Sequence, residues 1–297
     1  MNKKIVIAGG TGFIGKYLSD KFQFSGYDVK IISRKSGNIQ WNDEHGIVDA
    51  LEKSEMLINL AGKSVDCRYN EKNMAEIFSS RTETTKVLGE AILKCKNPPA
   101  LWINSSTATI YRHAEDRPMT ESTGEIGSGF SVEVAKKWEK TFFDFGLLKT
   151  RQVALRMAIV LGKTGGVMKP FINLVRFGLG GIQGNGKQMF SWIHIEDLYN
   201  IILFFQMNKE LSGVYNVSAP EPVNNKTFMK TIRDTMNVKL GLPSPKWLLK
   251  IGAVVIKTET ELILKSRWVV PEKLLQAGFN FKYPNIKSAV SEILSKD

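Results

Sequence analysis

The stretch Gly9-Gly10-Thr11-Gly12-Phe13-Ile14-Gly15 decides the fold of this chain. An apolar run, 5–8, precedes it, and a segment with the pattern of a helix follows. We interpret the whole as a strand, a tight turn and a helix: Gly9 allows the turn, Gly12 close backbone approach and Gly15 close packing of helix on strand. Unpaired amide groups at a helix N-terminus attract phosphate, so the turn is a candidate pyrophosphate site. The candidate contacts are Gly9, Thr11, Gly12, Phe13, Ile14 and Gly15.

Length and composition are those of a globular protein: the chain has 297 residues and a formal net charge of +12. The positive charge suits ordinary solubility or a phosphate-bearing ligand. Because Lys and Arg are scattered, we expect no nucleic-acid partner. No apolar run is long enough to cross a bilayer, and Cys67 and Cys95 have neither disulfide nor metal-ligand spacing. We therefore expect a cytoplasmic protein without a membrane partner or metal; a homodimer is left open.

Strands and helices alternate through the first half of the chain. We predict strands at 5–8, 29–32, 56–62, 101–104 and 152–156, a short strand within 37–41, and helices at 47–53, 70–93 and 131–145. This order predicts an α/β fold with a Rossmann-type, doubly wound parallel sheet.

The second half has a different pattern, with glycines at 178–186, a helix at 198–207 and a strand at 214–217. We predict a nucleotide-binding domain over 1–165, to which 190–218 return, and a smaller C-terminal substrate lobe formed by 166–189 and 219–297.

The residues after the second strand indicate which cofactor is bound. A carboxylate there would bind the ribose hydroxyls of NAD, but this chain has Ser33-Arg34-Lys35. A hydroxyl and two cations suit a 2′-phosphate, so we expect NADP. The alternative is a solvated charged loop.

Two further features point to the same edge of the sheet. The hydroxyl-rich segment 105–111 follows the strand at 101–104, and ligands of such sheets bind at the carboxyl ends of strands. Arg81 lies at one end of the inward stripe of the helix at 70–93, where it either extends along the surface or reaches the cofactor.

These motifs resemble the extended short-chain dehydrogenase/reductases, the NAD(P)-dependent epimerase/dehydratase family. The similarity is carried by the segments 9–15, 59–62, 105–111 and 191–197. Further markers, at 33–34, 80–81, 177–181, 184–186 and 270–279, resemble a subgroup with an uncharacterised C-terminal domain.

The resemblance implies roles for individual residues. Thr107 takes the position of the serine or threonine that orients the substrate oxygen. Tyr111 takes the position of a residue that lines the substrate pocket, and burial in the core would explain it equally well. Both are candidate catalytic residues, Tyr111 as a proton donor with His194 as the alternative donor. The cofactor contacts implied outside the glycine turn are Ser33, Arg34, Leu60, Ala61, Glu76, Arg81, Ser105 and Val160.

The family's catalytic tyrosine and lysine are missing from the expected helix. Aligning Glu139 with the family's glutamate puts Ser131 where the tyrosine belongs and Ala135 where the lysine belongs. Lys136 lies about 100° further round the helix and points elsewhere. The strings Tyr17 to Lys21 and Tyr283 to Lys287 have the right spacing, but we attribute them to chance.

For the substrate pocket we expect Asn185, Lys187, Gln188, Trp192 and His194, beside the segment 107–111. His194 is also readily explained as a hydrogen-bonded structural histidine. We expect an NADP-dependent, epimerase-like oxidoreductase that acts on a small polar substrate. The alternative is an NADP(H)-binding sensor or scaffold with little turnover.

Overall fold

The computed structural model describes residues 3–244 and 265–295. The strands are β1 (Lys4–Ala8), β2 (Asp28–Ile32), β3 (Met56–Asn59), β4 (Leu101–Thr107), β5 (Arg151–Met157), β6 (Ile159–Gly162), β7 (Gly165–Gly166), β8 (Met189–Phe190), β9 (Trp192–His194), β10 (Gly213–Val217) and β11 (Val223–Asn224). The helices are α1 (Phe13–Phe24), α2 (Glu44–Leu51), α3 (Glu71–Lys94), α4 (Phe130–Phe143), α5 (Met168–Arg176), α6 (Ile195–Met207), α7 (Asn225–Thr235), α8 (Glu272–Gln276) and α9 (Ile286–Leu294).

The main sheet has the strand order β10-β5-β4-β3-β1-β2, and all its neighbouring strands run parallel. The order reverses at β1: the chain adds β2 on one side and then β3, β4 and β5 on the other. This confirms the predicted Rossmann-type, doubly wound fold. A reversal of this kind opens a crevice at the carboxyl ends of the central strands.

Apolar side chains cover both faces of the sheet. Within β1, Ile5 and Ile7 belong to a core shared with α1 and α6, whereas Val6 and Ala8 belong to a core shared with α2, α3 and α4. Successive side chains of a strand point to opposite faces, so an unbroken apolar run is expected where helices cover both. The result is three layers, with α1 and α6 on one face and α2, α3 and α4 on the other.

The predicted short strand within 37–41 is wrong in extent. Only Ile39 makes a ladder-type pair there, an isolated bridge to Ile32 at the end of β2. Gly37 has a φ of 83°, which strand residues do not adopt, and the amide of Asn38 bonds back to the hydroxyl of Ser33 at 3.0 Å. The local polar turn therefore replaces a strand.

A third apolar core lies beyond the main sheet. The small sheet β7-β6-β9 packs with α5, α7 and α9 around Trp192 and Phe228, both fully buried. The proposed division of the chain at 165, 189 and 218 stays a prediction. Within residues 3–244 and 265–295, no helix is long and apolar enough to cross a membrane.

Candidate cofactor-binding and active site

A cavity of about 460 Å³ lies at the carboxyl ends of β1, β3 and β4. The described residues that line it all come from the part of the chain between 9 and 157: Gly9, Gly12, Phe13, Ile14, Gly15, Leu60, Ala61, Gly62, Lys63, Ser64, Val65, Tyr69, Ile77, Arg81, Ser105, Ser106, Thr107, Thr109, Phe130, Ser131, Val134, Trp138 and Met157. The sequence predicted a binding site at this edge of the sheet.

The glycine turn between β1 and α1 forms one wall, and its glycines serve different purposes. Gly9 has a φ of +77°, and a Cβ there would lie 2.8 Å from the backbone nitrogen of Ala61. A Cβ on Gly15 would lie 2.5 Å from the Cα of Gly10. At Gly12 the nearest atom would be 3.8 Å away, so protein packing leaves this position open towards the cavity.

Phe13 follows the turn, and the glycines of a neighbouring hairpin leave room for its ring. A Cβ on Gly162 would come within 2.9 Å of the ring, and one on Gly165 within 2.5 Å. The ring is therefore fixed where α1 begins. Thr11 belongs to the turn but is not among the residues that line the cavity.

The segment after β3 is held by a buried asparagine. Asn59 donates to the side-chain oxygen of Asn104 at 2.7 Å and accepts from the backbone N–H of Ala61 at 3.0 Å. Leu60 and Ala61 therefore lie against the glycine turn and line the cavity, as expected of cofactor contacts. Their contact with a cofactor stays a prediction.

Arg81 of α3 lines the cavity as an incompletely compensated cation. Its guanidinium donates to the carbonyls of Ile77, at 2.9 Å, and Lys63, at 3.1 Å, and lies 5.2 Å from the ring centre of Trp138. Burial lowers the pKa of Arg81 to about 10. No Asp or Glu is among the described lining residues, so an anionic ligand would supply the missing charge.

Glu76 is paired with a lysine that the sequence analysis did not select. The ammonium of Lys63 pairs with the Glu76 carboxylate and donates to Asn73 at 2.9 Å. This hydrogen bond lowers the pKa of Glu76, and the charge of Arg34 lowers it further. Arg34, exposed after β2, therefore lies within electrostatic range of α3.

Ser33 is buried and organises the turn after β2. Its hydroxyl accepts from the backbone N–H of Lys35 and from the amide of Asn38, each at 3.0 Å. These bonds fix the turn that carries Arg34, and the Arg34 side chain is exposed. Neither Ser33 nor Arg34 lines the cavity, so the shape of the cavity does not test their predicted contact with a 2′-phosphate.

Three consecutive hydroxyls end β4. Ser105 is 4% exposed and lines the cavity, and its oxygen has no hydrogen-bond partner in the described part of the chain. Ser106 donates to Glu139 at 2.6 Å, while the oxygen of Thr107 accepts from the N–H of Thr109 at 3.1 Å. A buried hydroxyl without a partner is costly, so Ser105 is suited to a hydrogen bond with a ligand.

The first turns of α4 form the opposite wall. Ser131 lines the cavity, whereas Ala135, one turn later, is fully buried in an apolar cluster with Ile110 and Val132. Lys136 pairs with Glu133 at 3.1 Å on the exposed side. The helix therefore presents a serine to the cavity and buries position 135 in the core.

Tyr111 does not line the cavity. Its hydroxyl is buried, donating to Asn216 at 2.9 Å and accepting from Arg156 at 2.9 Å. Arg156 in turn forms a two-pronged ion pair with Glu139, with 2.8 Å between Nη2 and Oε2. Burial raises the pKa of Tyr111. Tyr111 is therefore held in a buried hydrogen-bond network and does not line the cavity in which its catalytic position was predicted.

The residues predicted to bind substrate do not line this cavity either. Asn185 accepts from the N–H of Lys187 at 3.0 Å, and Gln188 donates to the carbonyl of Gln183 at 2.8 Å, so both amides act within their own loop. Trp192 is fully buried in the third apolar core, that of the small sheet. Val160, on β6, also lies outside the lining.

His194 has a structural role. Its Nδ1 accepts from the N–H of Glu196 at 3.2 Å and so caps α6, while Nε2 lies 2.9 Å from Glu292. Burial lowers the pKa of His194 although Glu292 opposes this. Tyr17 and Lys21, one of the two Tyr/Lys pairs that we attribute to chance, both bind Glu196 in the same region.

Several lining residues escaped the sequence analysis: Gly62, Lys63, Ser64, Val65, Tyr69, Ile77, Ser106, Thr109, Phe130, Val134, Trp138 and Met157. Gly62 gave one usable signal, because a glycine directly after a buried strand marks a close approach. A Cβ there would lie 3.1 Å from the guanidinium carbon of Arg81. For Tyr69 and Phe130 the chain offers no local pattern, since their proximity depends on the packing of α3 against α4.

The lining is compatible with a dinucleotide. It offers an open glycine turn at a helix N-terminus, a buried hydroxyl that lacks a partner and a buried cation. Each suits a phosphate or a sugar hydroxyl.

Comparison with known proteins also indicates a dinucleotide-binding fold. The model of the NAD dependent epimerase/dehydratase family matches residues 5–218, and a model for a domain of unknown function, DUF1731, matches residues 244–293. The human epimerase family protein SDR39U1 is 31% identical over 297 residues, which cover 98% of this chain and 100% of that protein. The Bacillus subtilis epimerase family protein YfhF is 32% identical over 303 residues, 98% of each.

Solved structures agree with these matches. The crystal structure of human SDR39U1 (isoform 2) with NADPH has a TM-score of 0.89 and 31% identity, and the match covers 98% of both chains. The nucleoside-diphosphate sugar epimerase from Corynebacterium glutamicum has a TM-score of 0.78 and 27% identity, over 99% of this chain and 58% of that one. Its sheet, its glycine turn and these matches show that the chain belongs to the NAD-dependent epimerase/dehydratase family.

Proposed function

We propose that this protein binds NADP(H) in the cavity and acts as an epimerase-like oxidoreductase on a small polar carbonyl or hydroxyl compound. Two side chains in one cavity carry the proposal: within residues 3–244 and 265–295, the buried Ser105 hydroxyl has no hydrogen-bond partner, and no carboxylate joins Arg81 in the lining. NADPH in the human relative's crystal structure supports the choice of cofactor.

The chain's own residues suggest how the cofactor is held. Gly12 leaves space for the pyrophosphate at the N-terminus of α1, and Leu60 and Ala61 flank the adenosine side. Arg34, exposed after β2, is the candidate partner of the 2′-phosphate. Arg81 and Ser105 supply the remaining polar contacts.

Bound NADPH supplies a hydride at its nicotinamide ring. Thr107, at the carboxyl end of β4, is the residue that would orient the substrate oxygen. Its hydroxyl accepts from the N–H of Thr109 and keeps its own proton free for donation to that oxygen.

A second candidate function is an NADP(H)-binding sensor or scaffold with little turnover. It is favoured by Ser131, which occupies the wall where the family's tyrosine belongs, and by Ala135, whose site is fully buried. An aliphatic hydroxyl is a far weaker acid than a phenol, and alanine supplies no charge. Reduction of sugar nucleotides would then be slow or absent despite tight NADPH binding.

The test of cofactor choice is calorimetry with NADPH and NADH. We expect NADPH to bind at least about tenfold more tightly, about 1.4 kcal/mol, which one charge-assisted phosphate contact can supply. Arg34→Ala should remove most of this preference. Lys30→Ala is the matched control: Lys30 is a cation of β2 that pairs with Asp28 at 3.1 Å, and its loss should leave the preference intact. Equal affinities of the unmodified protein for the two cofactors would contradict the proposal.

A further inference from the structure

We propose that Tyr69 is the proton donor of this site, acting from the segment between β3 and α3 and not from α4, which carries the tyrosine in the family pattern. The inference rests on the proposed function, which supplies the reductant. Tyr69 lies in the segment between β3 and α3, whereas the family's tyrosine would lie on α4, at Ser131. Both residues line the same cavity.

Tyr69 supplies the one phenol among the described residues that line the cavity. Among the described lining residues, the side chains with an ionisable proton are Lys63, Tyr69 and Arg81. Lys63 is engaged by Glu76 and Asn73, and Arg81 donates to two carbonyls and stays charged at neutral pH. The remaining hydroxyls belong to serine and threonine, which are poor acids. Among the lining residues that the structure describes, Tyr69 is therefore the one that offers a phenolic proton.

Packing fixes where the Tyr69 ring lies. The ring meets Phe130 edge-on, with 5.3 Å between centroids and an interplanar angle of 68°. Phe130 begins α4 and precedes Ser131 in the chain. The phenol is therefore held beside the helix turn whose side chain would have donated the proton in the family pattern.

Arg81 gives this phenol a useful electrostatic neighbour. Burial lowers the pKa of Arg81, and a negative charge on the Tyr69 phenol would raise it. Interactions of this kind are mutual, so the guanidinium stabilises a phenolate at position 69. The cation on α3 could then serve the purpose that the missing lysine serves in the family.

The step balances as follows. The carbonyl carbon of the substrate gains a hydride from NADPH, which is oxidised, and the carbonyl is reduced to an alcohol. The π bond between carbon and oxygen breaks, and its electron pair stays on oxygen. That oxygen forms a bond to the phenolic proton of Tyr69. The phenolate left behind recovers a proton from water.

This placement also separates two classes of substrate. A sugar nucleotide bound as in the family would direct its reacting oxygen to Ser131, which cannot donate efficiently. A small carbonyl compound is free to turn its oxygen towards Tyr69. We therefore expect small polar aldehydes or ketones to be reduced, and sugar nucleotides to be poor substrates.

The experiment compares Tyr69→Phe with the unmodified protein. Phenylalanine keeps the ring against Phe130 and removes only the hydroxyl. With glyceraldehyde and dihydroxyacetone as probes, we expect kcat for NADPH oxidation to fall by about 10²- to 10⁴-fold, the usual contribution of a general acid, with little change in KM. Tyr27→Phe is the control, because its hydroxyl lies near Gln206 outside the cavity, and its kcat should not change.

A second readout does not depend on turnover. In protein labelled with ¹³C at the tyrosine Cζ atoms, the Tyr69 signal is identified by its loss in Tyr69→Phe. Added NADP⁺ should shift this signal and leave that of Tyr27 in place, and NADPH should bind Tyr69→Phe within about twofold of the unmodified affinity.

The outcomes separate the two proposals. If NADPH fails to bind the unmodified protein, the proposed function is wrong. If NADPH binds but Tyr69→Phe keeps its kcat, if neither probe is reduced, or if NADP⁺ leaves the Tyr69 signal unmoved, the role of Tyr69 is wrong and the cofactor site stands.

Discussion

At the scale of single residues, neighbouring hydroxyls at the end of β4 have acquired different roles. Ser105 lines the cavity and has no hydrogen-bond partner among the residues that the structure describes, Ser106 donates to Glu139, and Thr107 accepts from an N–H of its own turn. The residue types are nearly the same, so the difference comes from what each side chain faces. The Ser106 hydroxyl already donates to Glu139, so its proton is not available to a ligand.

One prediction follows for turnover. Thr107→Ala should abolish NADPH oxidation with a small aldehyde, because it removes the hydroxyl that orients the substrate oxygen. Ser131→Ala should change the rate little, since serine is a poor acid. The measurement is the loss of NADPH absorbance under saturating cofactor, with calorimetry to show that both variants still bind it.

Fast turnover that depends on Ser131 would contradict this account of α4. It would mean that the serine itself, or a group bound to it, donates the proton.

At the scale of an element, the turn between β1 and α1 separates two requirements for glycine. At Gly15 the protein itself excludes a side chain, because the helix packs on the backbone of the turn. At Gly12 the backbone has φ −77° and ψ 177°, which any residue adopts, and the nearest atom to a Cβ is 3.8 Å away. Folding therefore does not require glycine at 12, and only a ligand would.

The matching prediction uses two single substitutions. Gly15→Ala should lower the free energy of unfolding by about 1–3 kcal/mol, because a methyl group is forced into a packed turn. Gly12→Ala should leave stability within about 0.5 kcal/mol but weaken NADPH binding at least about tenfold, since the methyl group occupies the space next to the pyrophosphate.

Urea unfolding and calorimetry on both variants decide the matter. If Gly12→Ala binds NADPH normally, the pyrophosphate does not approach the turn at this residue.

At the scale of the whole molecule, the start of α6 joins distant parts of the chain. Glu196 binds Tyr17 and Lys21 of α1, and Asp197 accepts from the backbone N–H groups of Lys282 and Tyr283 at 2.7 and 2.9 Å. His194 caps the helix and meets Glu292 of α9. The nucleotide-binding sheet and the C-terminal segment are therefore held together at one helix terminus.

A pH dependence follows from the burial of His194. Because burial lowers its pKa, the unfolded chain binds a proton at this residue at higher pH than the folded chain does. The stability contributed by the neutral ring is thus complete above the unfolded value of about 6.5 and is lost as pH falls below it. Asn is a good N-cap and does not titrate, so His194→Asn should lose less stability than the unmodified protein between pH 8 and pH 5.

Urea unfolding at pH 8 and at pH 5 measures how much stability the unmodified protein and the His194→Asn variant each lose. Burial raises the pKa of Glu121, which acts in the opposite sense and is common to both proteins. Burial also raises the pKa of Asp197 while the charge of His194 lowers it, so His194→Asn raises the Asp197 pKa further and acts in the same direction as the expected result. Equal losses would show that His194 does not titrate differently on folding.

The β1–α1 turn and the doubly wound parallel sheet could be predicted from the sequence because both follow from local patterns along the chain. Glycine spacing at 9, 12 and 15 is a local requirement, and alternating apolar runs and amphipathic segments specify a parallel sheet with helices on both faces. The binding edge follows, since the carboxyl ends of the central strands are where such a sheet opens.

Tertiary structure decided which side chains meet at that edge. Lys63 pairs with Glu76, Tyr69 meets Phe130, and Tyr111 turns back to Arg156, because α3, α4 and β5 bring together residues that are distant along the chain. His194 shows the same limit: the sequence left it as a substrate contact or a hydrogen-bonded structural histidine, and the fold supplied Glu196 and Glu292 as its partners. Local pattern determines where the backbone goes, whereas the role of a polar side chain depends on the partner that packing delivers.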